Sequence, residues 1–291
     1  MKKTILLFAA LAMIASAAAQ TPSSKSFKEQ YERQVKMLGS TGIGVETILD
    51  RWAEAYPEDG DMLESRFNYY LLKSRTVQIV QKPVEKYLGV KPVLSLKDKE
   101  GKPVYYFEEA TFVDSLFAMS TKNIDKAIKC HPNVIQYRFD KISALLAYEK
   151  ESPDMCCAEL LSLIDHNFTV KPDWTFTGGK VGEDVFASGI QEYCISFFNM
   201  ATKGSFEAFR SVSERMVKYL PKNPTFLCNI GSYWLVAKEN QKEAQKWYNK
   251  VLKIKPDDYT ALKNSLLIAK TQKNAKAVAK YTTLLTKIEK K

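Results

Sequence analysis

The sequence predicts an all-α chain, a stack of helical hairpins with one small β element inserted. Three observations predict it. Apolar residues recur at the helical spacing over most of the chain. The segments so patterned have ordinary helix lengths, about a dozen of them, separated by short turns. No low-complexity linker divides them, which favours one continuous stack over separate lobes. Composition agrees. Of 291 residues 45% are hydrophobic and 26% charged, which excludes a disordered, collagen-like or polytopic membrane chain. Five Cys in that length exclude a disulfide-stapled miniprotein.

The elements follow in order. Met1-Lys2-Lys3, the apolar run Ile5–Ala15 and Ala17-x-Ala19 have the three parts of a secretory signal, with cleavage expected between Ala19 and Gln20. Ser26-x-x-Glu29 reads as a capping box opening a helix that ends at Gly39. A second helix runs from about Val45 to Ala55, before Pro57. Asp61-x-x-Glu64 opens a third. Prolines 83, 92 and 103 break helix, and the alternation after Pro92, the turn Asp98–Lys102 and Val104–Phe107 predict a β-hairpin over 92–107. Helical patterning resumes near Glu108. It is interrupted at Pro132, read as a first helical residue, at Ser152-Pro153-Asp154, and over 170–183, the longest loop. Beyond Asp184 only Gly204, Pro221, Pro224, Gly231 and Pro256 interrupt it. The expected division is a signal segment 1–19, a hairpin array 20–183 carrying the β-hairpin, and a repeat region 184–291 ending in a capping helix.

One stretch carries a motif. Leu227-x-x-Ile230-Gly231-x-x-Trp234, then Ala244-x-x-x-Tyr248, then Pro256 resembles the tetratricopeptide repeat. The resemblance implies a helical-hairpin solenoid. Gly231 and Ala244 would allow a close crossing of the two helices, the large residues would fill the gap to the next repeat, and Pro256 would end the second helix. Pro221 to Pro256 is 35 residues, one more than the family's period, which places one extra residue in the turn near Lys238–Gln241. Leu262 and Ala279 match Leu227 and Ala244 one period on. Ala55-Tyr56-Pro57-Glu58-Asp59 and Cys130-His131-Pro132-Asn133 echo Lys255-Pro256-Asp257-Asp258, but the prolines are 75 and 124 residues apart, not whole periods.

The same resemblance implies that first helices line a groove for an extended protein or peptide partner. Helical angles put Asn229, Ser232 and Val236 on that side of one helix, and Lys263, Asn264, Leu267 and Lys270 on that side of the next. Amides, hydroxyls and ammoniums there suit a peptide backbone and its carboxylates. In the last helix Lys276, Lys280, Lys287 and Lys291 share about 60° of arc, opposite Val278, Tyr281, Leu285 and Ile288. Residues 270–291 carry seven Lys and one Glu. That face is a solubilising cap or a contact for an anionic membrane surface or acidic partner. An exported chain would seldom meet nucleic acid, so none is expected.

Catalytic sets are missing. His131 and His166 show no metal-ligand spacing, Thr177–Gly182 lacks the P-loop arrangement, and no nucleophile elbow or Cys-x-x-Cys occurs. Cys130, Cys156, Cys157, Cys194 and Cys228 define no bridge. The expectation is a non-enzymatic, exported scaffold or adaptor with no cofactor and no metal.

Overall fold

The computed structural model describes residues 21–289. The expected signal segment and Lys291 lie outside them. Twelve helices among the described residues form six antiparallel hairpins in chain order. They are α1 (Ser24–Leu38) with α2 (Val45–Ala55), α3 (Gly60–Ser74) with α4 (Asp114–Cys130), α5 (Ile135–Glu149) with α6 (Asp154–Val170), α7 (Glu183–Met200) with α8 (Lys203–Tyr219), α9 (Pro224–Val236) with α10 (Gln241–Ile254), and α11 (Tyr259–Thr271) with α12 (Ala275–Glu289).

Two kinds of turn alternate along this array. Four of the joints between hairpins share one geometry. Tyr56, His131, Leu220 and Lys255 each end a helix with φ between −120° and −137° and ψ between 65° and 86°. Each precedes a proline, whose ring disfavours α geometry in the residue before it, so the helix stops there. In each, the amide three residues on returns to the carbonyl of the pre-proline residue, at 3.0–3.2 Å. Asp59, Asn223 and Asp258 then cap the following helix through their side chains. Turns inside hairpins instead use a positive φ, at Gly39, Lys150, Ala201, Glu239 and Lys273. Glu239 and Lys273 are 34 residues apart and each lets the next amide close a bond, Asn240 N to Trp234 O at 2.8 Å and Asn274 N to Ala269 O at 3.0 Å.

The β element interrupts a hairpin. It stands between α3 and α4 as an antiparallel sheet of order β1-β3-β2, formed by Arg75–Lys82, Pro103–Phe112 and Leu94–Lys97. The expected hairpin is present as β2 and β3, but β1 extends it to three strands. β1 pairs with β3 over its whole length, from Arg75 opposite Phe112 to Lys82 opposite Tyr105. Helix therefore resumes at Asp114 and not near Glu108. Cross-strand pairing overrides the helix preference of Glu108-Glu109-Ala110. This insertion also accounts for the broken period. Residues 75–113 are 39 of the 75 between Pro57 and Pro132, which leaves one ordinary repeat.

Further local readings need correction. Ser23, not Ser26, caps α1, accepting from Ser26 N. Asp59, not Asp61, caps α3. Pro132 belongs to the joint, and α5 starts at Ile135. Gly231 does not interrupt α9. It lies inside the helix against the ring of Tyr248, where a Cβ would come within 2.6 Å of Cε1. Leu227, Ile230, Ala244, Tyr248 and Val251 are buried around that crossing, Trp234 is half-buried, and Pro256 is exposed in its joint. A continuous core runs from Phe27 through Trp52, Phe67, Ile124, Leu160, Ile190 and Phe209 to Tyr233, and two smaller clusters continue it to Leu285. The fold is thus a helical-hairpin solenoid with a small inserted sheet.

Candidate functional site

The first helices α5, α7, α9 and α11 lie side by side, and gaps between α5, α7 and α9 form clefts. Three clefts follow one another along α7. One, of about 400 Å³, lies where Tyr87–Val90 of the inserted segment meets Leu146 and Lys150 of α5 and Asn199 and Met200 of α7. The next is lined by Phe139, Ser143 and Leu146 of α5 and by Gly189, Tyr193 and Ser196 of α7. The third lies between Asp184, Ser188 and Gln191 of α7 and Asn223 and Thr225 at the start of α9. Gly189 allows the approach of α7 to α5, since a Cβ there would sit 2.9 Å from Phe139 Cζ. Tyr193 bridges the same pair. Its hydroxyl donates to Phe139 O at 3.0 Å and lies 2.8 Å from Ser143 Oγ. Burial pushes it up to about 12, so it stays neutral and able to donate.

The trough is bounded at both ends of α5 and α7. At their C-terminal ends stands the inserted sheet, tied by Lys150 to Glu109 at 3.0 Å and by Tyr87 to Glu151 at 3.2 Å. At their N-terminal ends stands the segment 171–182, folded around the short strands β4 (Thr175–Phe176) and β5 (Gly179–Lys180). Thr177 and Gly178 both have positive φ, which suits a two-residue hairpin turn and explains the glycines there. Trp174 anchors the segment. It is 3% exposed, donates to Asn167 Oδ1 at 2.9 Å, and has the Arg138 guanidinium 5.3 Å from its ring.

Two carboxylates beside this trough stand out electrostatically. Asp140 of α5 is half-buried, and its one side-chain hydrogen bond comes from Gln136, at 2.6 Å. Burial, with the Glu64 charge adding to it, raises its carboxyl to about 6. Burial also raises Glu64 of α3. Neither is ion-paired among the described residues, whereas the neighbouring Asp61 is held by Lys28 at 2.8 Å.

The groove residues expected from helical angles divide into two groups. Val236, Lys263, Leu267 and Lys270 are exposed. Asn229 is 8% exposed, and its amide is committed to Gln191 Oε1 at 2.7 Å and Ser213 Oγ at 3.2 Å. Ser232 and Asn264 both reach the Tyr248 hydroxyl, at 3.3 and 2.9 Å. Asn229 thus ties α9 to α7 and α8, and Ser232 and Asn264 tie α9 and α11 to α10, so these groove candidates already have partners within the stack. Glu64, Asp140, Ser143 and Tyr193 were not singled out by sequence. The signal available was the stripe Gln136, Asp140, Ser143, Ala147 on α5.

Lys276, Lys280 and Lys287 are exposed on α12, while Tyr281 and Leu285 are buried. His131 takes part in the second joint, its Nε2 lying 2.7 Å from Glu58 O. His166 packs beside Trp174 at 5.6 Å between ring centres. No group of three His, Cys, Asp or Glu among the described residues is placed to hold a metal ion. The five cysteines are unbridged, and burial raises the thiols of Cys156, Cys194 and Cys228. No helix among the described residues is long and apolar enough to cross a membrane.

No family model matches the chain, and no curated protein matches it. Several solved structures are similar. YrrB, described as a TPR protein with an unusual peptide-binding site, aligns at 11% identity and a TM-score of 0.38, covering 82% of this chain and 90% of that one. PilF of Pseudomonas aeruginosa aligns at 8% identity and 0.36, covering 91% of each chain. PilW, described as a widely conserved type IV pilus biogenesis factor, aligns at 11% identity and 0.36, covering 90% of this chain and 91% of that one. Paired helices, a glycine at the crossing of α9 and α10, and proline-terminated joints make the architecture of this chain tetratricopeptide-like.

Proposed function

We propose that the protein is an exported, non-enzymatic scaffold or adaptor whose first-helix face holds an extended segment of a protein partner in the cell envelope. The observation that carries this reading is the row of three clefts along α7, open between first helices and bounded by the inserted sheet and the Trp174 segment. Neither boundary belongs to the repeating hairpin pattern; the sheet is tied to the end of α5 by Lys150–Glu109, and the Trp174 segment is held by Asn167 of α6 and stacked under Arg138 of α5. An extended segment laid across such a row meets backbone-sized gaps, hydroxyls and aromatic edges in succession. A photo-crosslinking residue at Ser143 or Ser188 should capture a partner from envelope extract. The same residue at Lys253, on the exposed side of α10, should not. Equal capture at all three positions would show that the face is not selective and would end this reading.

A second reading rests on α12. Lys276, Lys280 and Lys287 are all exposed, and none is ion-paired among the described residues. That face suits an anionic phospholipid surface, with binding that weakens as salt rises. Sedimentation with vesicles containing phosphatidylglycerol, at low and moderate salt, tests it. Binding that survives replacement of the three lysines by Gln rejects it.

A further inference from the structure

The charges along the first-helix face are segregated. Glu64 on α3, Asp140 on α5, and Asp184 and Glu192 on α7 are acidic, whereas Lys263 and Lys270 on α11 are basic. None of the six is ion-paired with another described residue. Elsewhere the surface pairs its charges readily, as at Lys28–Asp61, Lys141–Glu159 and Arg215–Asp165. The acidic end is also the more buried. Glu64 and Asp140 are partly withdrawn from water; Lys28, paired with Asp61, only partly offsets Glu64, and no cation offsets Asp140. Leaving carboxylates in that state is unfavourable unless something else supplies the counter-charge.

We propose that this face selects an extended partner segment by charge order, seating a Lys or Arg side chain at Glu64 and Asp140 while an acidic side chain or terminal carboxylate reaches Lys263 and Lys270. The span fits such a segment. From α3 to α11 there are four steps between first helices, at roughly 10 Å each, or about a dozen extended residues at ~3.3 Å. Gln136 already donates to Asp140 Oδ1 and leaves the second oxygen for an incoming cation. Tyr193 stands beside it as a neutral aromatic edge, and Phe139 borders the next cleft. The inference rests on the first-helix face being the partner-binding face.

The test uses the chain from Gln20 to Lys291 and labelled twelve-residue peptides read by fluorescence anisotropy. One peptide carries two Arg at one end and two Asp at the other, separated by Ser, Thr and Ala. Its isomer has the same residues with the charges interleaved. The segregated peptide should bind at least tenfold more tightly, and the preference should shrink as salt rises. Asp140→Asn with Glu64→Gln, and separately Lys263→Gln with Lys270→Gln, should each remove most of the preference. Equal binding of the two isomers, or a preference that both double variants retain, overturns the proposal. Crosslinking of the envelope partner at Ser143 separates this from the wider reading. If capture persists at unchanged yield in the Asp140→Asn, Glu64→Gln variant, charge selection is wrong while the partner-binding face stands. If capture at Ser143 is no better than at Lys253, the face itself is wrong.

Discussion

Asp140→Asn should make the protein more stable at neutral pH and no more stable in acid. The carboxyl is raised from 3.8 to about 6 by burial and by Glu64. Between those values the folded chain holds this proton more tightly than the unfolded chain does. Stability therefore falls as pH rises through the window, and the unfavourable contribution is complete above about pH 6. Two units at 1.36 kcal/mol each set an upper limit of about 3 kcal/mol. The group is only half-buried, and solvent screening reduces this to about 1–1.5 kcal/mol. Asn cannot ionise, and its carbonyl can still accept from Gln136. The gain should thus be near zero at pH 4 and about 1–1.5 kcal/mol at pH 7.5. Urea unfolding at both pH values, followed by the emission of the four tryptophans, measures it. A gain of equal size at the two pH values, or a loss at pH 7.5, would refute the argument. The same substitution is expected to weaken partner binding, so stability and binding move in opposite directions.

Other predictions concern the stack itself. Gly231→Ala forces a methyl into Tyr248, whose ring is fully buried. Overpacking of about 1–3 kcal/mol outweighs the helix gain of ~1 kcal/mol, and the thermal midpoint should fall. Tyr248→Phe keeps the ring but leaves Asn264 and Ser232 without their shared partner, and chemical denaturation should read a loss of about 1 kcal/mol. Glu239→Gly and Lys273→Gly each relieve a left-handed residue in a hairpin turn, and each should raise stability by up to about 1 kcal/mol. Replacing residues 77–110 by Asn-Gly between Thr76 and Thr111, which face each other across the sheet, should leave helical circular dichroism and cooperative melting intact.

Much of the architecture is legible in local sequence because the forces behind it are local. A proline disfavours helix in the residue before it, so the joints at Pro57, Pro132, Pro221 and Pro256 repeat one geometry. The motif around Gly231 and Tyr248 works the same way, since helical spacing brings the named residues to one side. β1 was missed although Thr76-Val77-Gln78-Ile79-Val80 is rich in β-branched residues. Its partner strand lies some thirty residues away, and nothing within β1 announces it. The insertion then disguised the period, because a repeat interrupted by a sheet has no constant spacing.

The site was much less legible. Sequence alone determined which residues share a side of one helix, that the chain is a run of helical hairpins, and where the hairpins join. It could not determine which polar groups on those sides remain available. Tertiary structure decided that Asn229 is spent on Gln191, 38 residues away, that Ser232 and Asn264 share the Tyr248 hydroxyl, and that Asp140 is left without a cation. The physical reason is that periodicity fixes a direction about a helix axis. Whether a side chain pointing that way meets a partner or water depends on the neighbouring helix, supplied by a distant part of the chain.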